Sequence, residues 1–259
     1  MISFTSTEIN AWVVAFFFPL ARILALLASA PPFNNIGLPA RVRLVLGLAI
    51  ALAITPVLPK IPAVDPASGL GLLILAQQLV IGFALGFSLR LVFSAVDLAG
   101  NAISNLMGIG FATSFDPQSA AQTPVISEFL GMLALLTFMV INGHLMVIAT
   151  LTQSFSDLPI GTASLVNASW LNIANAGGII FSYAVLLSLP VLVALLITNM
   201  ALGVLVRVAP QLNLFAIGFP VTILLGFGAL LVSMTHLSGP LQQMFDFGLH
   251  SMLGYFVIK

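Results

Sequence analysis

Long apolar stretches, separated by short segments rich in proline, glycine or polar residues, fill almost the whole chain. The pattern predicts apolar elements at about 9–30, 44–59, 70–96, 97–111, 127–151, 173–206 and 212–236, with a shorter tail at 241–258. A membrane-spanning helix needs about 20 apolar residues. The second stretch is short for a span, whereas 70–111 and 173–206 are long enough to form bent or broken hairpins. The pattern therefore predicts an all-α protein of the integral-membrane type.

Proline divides these stretches and disturbs some of them. The segments 29–43 and 55–69 are rich in proline and are predicted to be loops, because proline lacks the backbone N–H and clashes with the preceding turn. Pro19, Pro190 and Pro220 lie inside apolar stretches and are expected to kink them. In lipid, the carbonyls freed by a kink need partners. Several kinked segments in one chain therefore indicate neighbouring protein more than bare lipid.

Composition excludes a water-facing surface. Of the residues, 60% are hydrophobic and 5% are charged, with a mean hydropathy of +1.19, whereas soluble domains carry roughly 25% charged residues. The chain is therefore an integral membrane protein or is buried in a large assembly. The net charge is zero and the seven basic residues are scattered, which argues against nucleic-acid binding. There is no cysteine, so disulfides and thiolate metal sites are excluded.

The N-terminal segment does not have the pattern of a signal peptide. It lacks a basic region before its apolar run and carries Glu8 instead, and the run is long. We expect a retained first helix. Since no polar linker divides the chain, we predict a single domain over residues 1–259.

Two predicted helices carry small or amide residues followed by an arginine at intervals of four. They are Gly82, Gly86 and Arg90 on one helix, and Asn199, Gly203 and Arg207 on the other. Small residues at this spacing let helix backbones approach closely. Packing within the chain explains most such patterns. The terminal arginine adds the possibility of a specific partner, because arginine in an apolar run faces protein or water.

Five charged residues lie within or beside apolar stretches: Arg22, Arg90, Asp97, Glu128 and Arg207. Arg90 and Asp97 share a helical face but lie about 10 Å apart at 1.5 Å per residue, so each is expected to meet a different partner. A proton relay would need acids clustered with histidine. His144 is not at helical spacing to Asp97 or Glu128, so structural pairing is favoured over a relay.

Catalytic and metal-binding motifs are missing from the sequence. No nucleophile elbow accompanies the serines, and His144, His236 and His250 lack the spacing of zinc ligands. The segment "GIGFATSF" has no lysine and follows no strand, so it is not a phosphate loop. The sequence predicts a protein that is not an enzyme and that has no metal or cofactor.

The segment 108–124, "GIGFATSFDPQSAAQTP", interrupts the apolar pattern. Gly108 and Gly110 permit a positive φ, and Ser127 is a plausible N-cap for the following helix. Four hydrophobic residues in or beside the segment are expected to be exposed, which is unusual for a polar connection: Met107, Ile109, Phe111 and Phe115. They could meet at an axis and close a pore, since hydrophobic constrictions exclude water and ions. These residues alone leave a gate and a simple connection equally open.

Several long strings resemble one family. They are "NLMGIGFATSFDPQS", "FMVINGHLMVIATLTQSFSDLPIG" and "LPVLVALLITNMALGVLVRVAPQLNLFAIGFP", with "LPARVRLVLGLAIALAITP" and "GFALGFSLRLVFSAVDLAG" in the N-terminal half. In order and over nearly the whole chain, they resemble the FliR family of type III secretion export-gate proteins, which has flagellar and virulence branches. The strings "NGHL" and "LPIG" favour the flagellar branch, with a virulence homologue as the alternative.

The resemblance implies a bundle of kinked helical hairpins that assembles with FliP-like and FliQ-like subunits into a helical export gate. That gate is the channel for unfolded flagellar proteins in the bacterial inner membrane at the flagellar basal body. An FlhB-like export-switch protein is a further implied partner. Much of such a hairpin assembly is expected above the membrane plane.

The resemblance also implies roles for particular residues. The loop of about 108–122 is expected to plug the pore, and the gate residues are Met107, Gly108, Ile109, Gly110, Phe111, Ala112, Thr113, Ser114, Phe115, Asp116 and Pro117. Contacts with other subunits are assigned to Gly82, Gly86, Arg90, Asp97, Asn199, Gly203 and Arg207. Two rival interpretations stay open. A purely architectural subunit differs only in what the loop does, and a stand-alone secondary transporter would need internal symmetry and an ionisable cluster, neither of which is visible.

Overall fold

The computed structural model describes residues 6–34, 38–59, 64–109, 124–161, 167–209 and 214–254. Within these ranges the chain is helical and has no strand. The helices are α1 (Ser6–Ser29), α2 (Ala40–Ile54) continued by a 3-10 turn (Thr55–Val57), α3 (Gly69–Met107), α4 (Val125–Val140), α5 (Gly143–Asp157), α6 (Asn167–Val208), α7 (Leu214–Met234) and α8 (Ser238–Gly254). The predicted all-α class is confirmed.

Two predicted boundaries are wrong, each for a local reason. The stretches 70–96 and 97–111 belong to one helix, α3, because no proline separates them. The stretch 173–206 also lies in one helix, α6, which continues through Pro190, so neither 70–111 nor 173–206 is a broken hairpin. The stretch 127–151 is instead two helices, since Asn142 adopts a left-handed conformation with φ 56° and ends α4. Asparagine tolerates this conformation better than most residues. At 1.5 Å per residue, α3 and α6 are roughly 60 Å long, about twice the hydrocarbon thickness of a bilayer.

Four segments of the described chain are long and apolar enough to cross a membrane: Ala40–Val57, Gly69–Met107, Asn175–Val208 and Ile217–Met234. Helices α4 and α5, taken together as a bent pair, would make a fifth. The prediction of an integral-membrane type therefore agrees with the lengths and composition of the helices.

The chain contacts form two compact units. The first comprises Met1–Leu91, Asn142–Ala176 and Asp246–Lys259, and the second comprises Val92–Ile141 and Gly177–Phe245. Each unit has its own buried core. The prediction of one domain over residues 1–259 stays a prediction.

A fully buried arginine organises the first unit. Arg22 of α1 is 0% exposed, and its Nε and one terminal nitrogen both donate to Gln78 Oε1 of α3, at 2.8 and 2.5 Å. The terminal nitrogens also donate to Ser154 O (2.8 Å), Ser154 Oγ (3.1 Å) and Leu158 O (2.8 Å). The guanidinium lies 4.2 Å from the ring centroid of Phe155. The guanidinium thus makes five hydrogen bonds to neutral acceptors. Three of these bonds go to the carboxyl end of α5, where a helix dipole favours positive charge.

Close backbone contact between α1 and α3 accompanies the arginine. A methyl group on Gly82 would overlap the carbonyl oxygen of Arg22, and one on Gly86 would overlap Ser29 Oγ. The small-residue face predicted on α3 therefore packs against α1 of the same chain. This contact holds Gln78, one helical turn before Gly82, beside Arg22.

The core of the second unit contains a cluster of three aromatic rings. Phe93 of α3, Phe138 of α4 and Phe245 of α8 have ring centroids 5.2–6.1 Å apart. Toward the other end of α4, a methyl group on Gly100 would overlap the backbone of Ser127. Residues that advance along α3 thus meet residues that recede along α4, so the two helices form an antiparallel pair.

Replacing Arg22 by methionine should destabilise the purified chain by about 3 kcal/mol or more, because stranding each buried acceptor costs about 1–3 kcal/mol. Thermal unfolding in detergent measures the effect. The matched control is Arg90→Met, which removes an exposed guanidinium. Equal stability of the two variants would contradict the organising role of Arg22.

Replacing Gly82 by alanine should also destabilise the chain, by about 1–3 kcal/mol, because the added methyl group pushes the α1 backbone away from α3. Gly178→Ala is the control, since a methyl group there meets no atom within 4 Å. The same unfolding assay applies. A Gly82→Ala variant as stable as its control would show that the two helices separate without cost.

Candidate functional site

The loop that the sequence singles out begins at a defined helix end. The N–H of Gly108 donates to Asn105 O (3.1 Å), and the N–H of Ile109 donates to Ser104 O (3.2 Å). Gly108 has φ +81°. This pair of bonds with a left-handed glycine is a Schellman motif, which satisfies carbonyls at the end of a helix. The expectation of a positive φ at Gly108 is confirmed.

Residues of α7 hold this helix end. Met107 is 0% exposed, and a methyl group on Gly226 would lie 2.6 Å from its Cγ, 2.8 Å from its Cε and 2.9 Å from its Sδ. The hydroxyl of Thr222 donates to Met107 O at 3.1 Å, and the ring of Phe219 lies directly over the α-carbon face of Gly108. Met107 was predicted to be an exposed hydrophobe of the loop, and this is wrong. It is the last residue of α3, and glycine at position 226 leaves room to bury it.

The far end of the loop is held by α3. Helix α4 begins at Val125 after Pro124, which has no side-chain capping bond. The predicted N-cap role of Ser127 is wrong, because its hydroxyl donates instead to Asp97 O at 3.0 Å. Since Ser127 also packs on Gly100, its hydroxyl faces α3 rather than its own helix terminus.

Most of the predicted plug lies outside the described residues. These are Gly110, Phe111, Ala112, Thr113, Ser114, Phe115, Asp116 and Pro117. Ile109, the last described residue before them, is partly exposed. The site that can be built from contacts is thus the base of the loop, with Met107, Gly108 and Ile109 on one side and α4 on the other.

A polar face on α3 leads toward this base. Asp97 and Asn105 are exposed, and Ser94 and Asn101 are partly exposed. At 100° per residue the four positions fall within one narrow arc of the helix. The sequence analysis singled out only Asp97, although the spacing of Asn101 and Asn105 after it, four and eight residues, was visible. An exposed polar face of this kind is costly against hydrocarbon and favours contact with water or protein.

The structure separates the predicted subunit contacts into two groups. Gly82 and Gly86 are buried against α1, as described above, whereas Arg90 is exposed. On α6, Gly203 and Arg207 are exposed and Asn199 is partly exposed, and a methyl group on Gly203 would meet nothing within 4 Å. Within the described residues the α6 face therefore has room for another helix, whereas the two α3 glycines already pack against α1 of the same chain.

The chemistry of this site is packing and hydrogen bonding. Within the ranges that the structure describes, no three histidine or acidic side chains lie close enough together to hold a metal ion. His236 interacts with the adjacent Thr235 Oγ1 at 2.8 Å, and His250 with the backbone carbonyl of Asp246 at 2.7 Å. Both histidines are exposed and engaged locally, His236 in the turn between α7 and α8 and His250 on α8.

Comparisons with known proteins agree with this architecture. Residues 13–248 match the family described as bacterial export proteins, family 1. The chain is 42% identical to the flagellar biosynthetic protein FliR of Pectobacterium carotovorum subsp. carotovorum, over 87% of this chain and 86% of that protein. It is 40% identical to FliR of Escherichia coli (strain K12), over 95% and 94%, and 29% identical to FliR of Bacillus subtilis (strain 168), over 92% and 93%. The chain therefore belongs to the FliR family of bacterial export proteins.

Proposed function

We propose that this chain is a non-enzymatic subunit of the flagellar type III protein export gate in the bacterial inner membrane. It forms the channel for unfolded flagellar proteins together with FliP-like and FliQ-like subunits, and it contacts an FlhB-like export-switch protein. The observation that carries the proposal is the family match over residues 13–248. The alternative of a virulence homologue has less support, since the relatives named above are flagellar proteins.

The surface of the long helices supports a role inside an assembly. Helix α6 buries Leu187, Val191 and Leu195 on one side. Its other side exposes large hydrophobic side chains at intervals of three or four residues, among them Phe181, Val185, Leu189, Val193, Ile197, Met200 and Val204. A helix that is apolar all round is normally buried. Because α6 is roughly 60 Å long, a bilayer core of about 30 Å covers only part of it, and neighbouring subunits are the natural cover for the rest.

The base of the loop supports a plug. The gate segment starts from Met107 and Gly108, which α7 holds, and returns through α4, which packs on α3. A loop fixed at both ends can place Phe111 and Phe115 reproducibly, and two aromatic side chains can seal a narrow pore against ions. We propose that an unfolded substrate displaces this plug. The energy for export comes from other components, since no nucleotide motif is present in the sequence.

Replacing Phe111 and Phe115 together by alanine, or deleting part of 108–117, should make the closed assembly conduct small ions. The reason is loss of the hydrophobic seal. Conductance of the purified assembly in planar bilayers measures the leak, with Phe83→Ala, at an exposed position of α3 outside the loop, as the control. An assembly that stays ion-tight without the phenylalanines would favour a purely architectural subunit.

The open face of α6 predicts a second result. Gly203→Leu and Arg207→Gln should leave the stability of the isolated chain within about 0.5 kcal/mol of wild type, as surface changes usually do. Both should lower co-purification with FliP-like and FliQ-like subunits, because the added side chain blocks close helix approach and the lost guanidinium strands its partner. Gly178→Leu, also at an open position, is the control. A complete complex with both variants would exclude this face as a subunit contact.

A further inference from the structure

We propose that Phe219, Thr222 and Gly226 of α7 form a releasable clamp on the end of α3, and that withdrawal of Met107 from the clamp is the step that opens the gate. This inference rests on the proposed plug function and deepens it. It assigns positioning roles to three α7 residues that lie outside the loop itself.

The contacts of the clamp are specific. Gly226 is buried, and its missing side chain provides the space that Met107 fills, with three Met107 atoms within 2.9 Å of where a methyl group would sit. One helical turn earlier, Thr222 bonds the Met107 carbonyl. A further turn along the same face of α7, Phe219 covers Gly108. The two residues from which the loop departs are thus held by side chain, backbone and ring contacts at once.

The hydrogen bonding allows the clamp to open without stranding a donor. The hydroxyl of Thr222 has a single proton and two acceptors at 3.1 Å, Met107 O and its own helix carbonyl Phe219 O. When Met107 leaves, the hydroxyl keeps the Phe219 carbonyl as partner. A buried donor with no second acceptor would resist release strongly.

The side chain that fills the space beside Gly226, that of Met107, also favours movement. Methionine is unbranched and flexible, and it adapts to irregular spaces at low cost. It enters a notch in a glycine-containing stretch of α7, so its exit does not require a bulky neighbour to move. The Schellman motif at Gly108 lies within α3 and can stay intact while Met107 moves. These features suit the release step proposed here, in which Met107 moves between a held and a released position.

Steric and hydrogen-bond variants of α7 test the clamp in the complete assembly. Gly226→Ala should raise the ion conductance of the closed gate several-fold, because the methyl group displaces Met107. Gly228→Ala, at an open position of the same helix, should leave it unchanged. Thr222→Val should leak and Thr222→Ser should not. Thr198→Val is the matched control, since the Thr198 hydroxyl donates to a carbonyl of its own helix, Ala194 O (2.8 Å). Combining Gly226→Ala with Met107→Ala should reduce the leak, as a size exchange restores the fit.

A reversible cross-link tests the opening step directly. The chain has no cysteine, and a Cβ on residue 226 would lie no more than about 4 Å from that of residue 107, within reach of a disulfide, whose Cβ atoms are about 3.5–4.5 Å apart. Oxidising the Met107→Cys, Gly226→Cys variant should stop export of an unfolded flagellar substrate into inverted membrane vesicles, and reduction should restore it. The two single-cysteine variants are the controls.

The outcomes separate this inference from the plug itself. Leak from Phe111→Ala, Phe115→Ala without leak from Gly226→Ala and Thr222→Val would overturn the clamp and leave the plug standing. Tight gates in both sets would overturn both. A leak that comes with loss of partner subunits on purification would show a merely structural role for α7, and export that continues through the oxidised cross-link would show that Met107 does not move on opening.

Discussion

A positive charge buried in an apolar protein must find acceptors, and the first unit is built around the acceptors of Arg22. The guanidinium has five N–H donors in a rigid plane, and α1 alone cannot supply partners for them. Gln78 comes from α3, and Ser154 and Leu158 come from the end of α5. Three segments far apart in sequence are therefore brought to one point. The close packing of Gly82 and Gly86 on α1 is the condition that lets Gln78 reach it.

The same network satisfies the hydrogen-bond donors of Arg22 without burying a second charge beside it. The acceptors of Arg22 are neutral, and two of them are backbone carbonyls near the carboxyl end of α5, where the helix dipole is negative. Removing one partner of such a network leaves buried polar atoms unsatisfied. A network of this kind specifies one arrangement of helices more sharply than apolar packing does, since displaced apolar surfaces still find contacts. It gives the first unit a unique register in which the remaining side chains pack.

The second unit uses glycine for a comparable purpose at the proposed gate. Gly100 lets α4 approach α3, and Gly226 accepts the side chain of Met107, so both ends of the loop are held by close contacts rather than by charge. Release of Met107, as proposed above, would therefore leave no charge unpaired. The polar face of Asp97, Asn101 and Asn105 leads to the same place. An exposed polar face of this kind favours contact with water or protein over contact with hydrocarbon.

Sequence reasoning succeeded where a residue acts through its own helix. The positive φ of Gly108 was predictable because glycine has no side chain. Close helix packing at Gly82 and Gly86 was predictable from their spacing. It failed for Met107, because the burial of this side chain depends on α7, which is distant in the chain. It also failed for Ser127, because the hydroxyl of this residue bonds to α3. It also divided α3 at residue 97. It joined α4 to α5 because the apolar pattern of 127–151 does not reveal that Asn142 adopts a left-handed conformation.

The amino-acid sequence by itself determined that this protein is helical and apolar and that it belongs with the export-gate family, because composition, periodicity and long specific strings are properties of the chain alone. Only the tertiary structure decided which acceptors satisfy Arg22, which glycines receive a neighbour and which stay open, and that Met107 belongs to the base of the loop. Those outcomes depend on distances between residues remote in sequence. The sequence shows that a buried donor such as Arg22 or a glycine such as Gly226 is present. Only the fold determines which distant residue accepts the hydrogen bond or packs against the glycine.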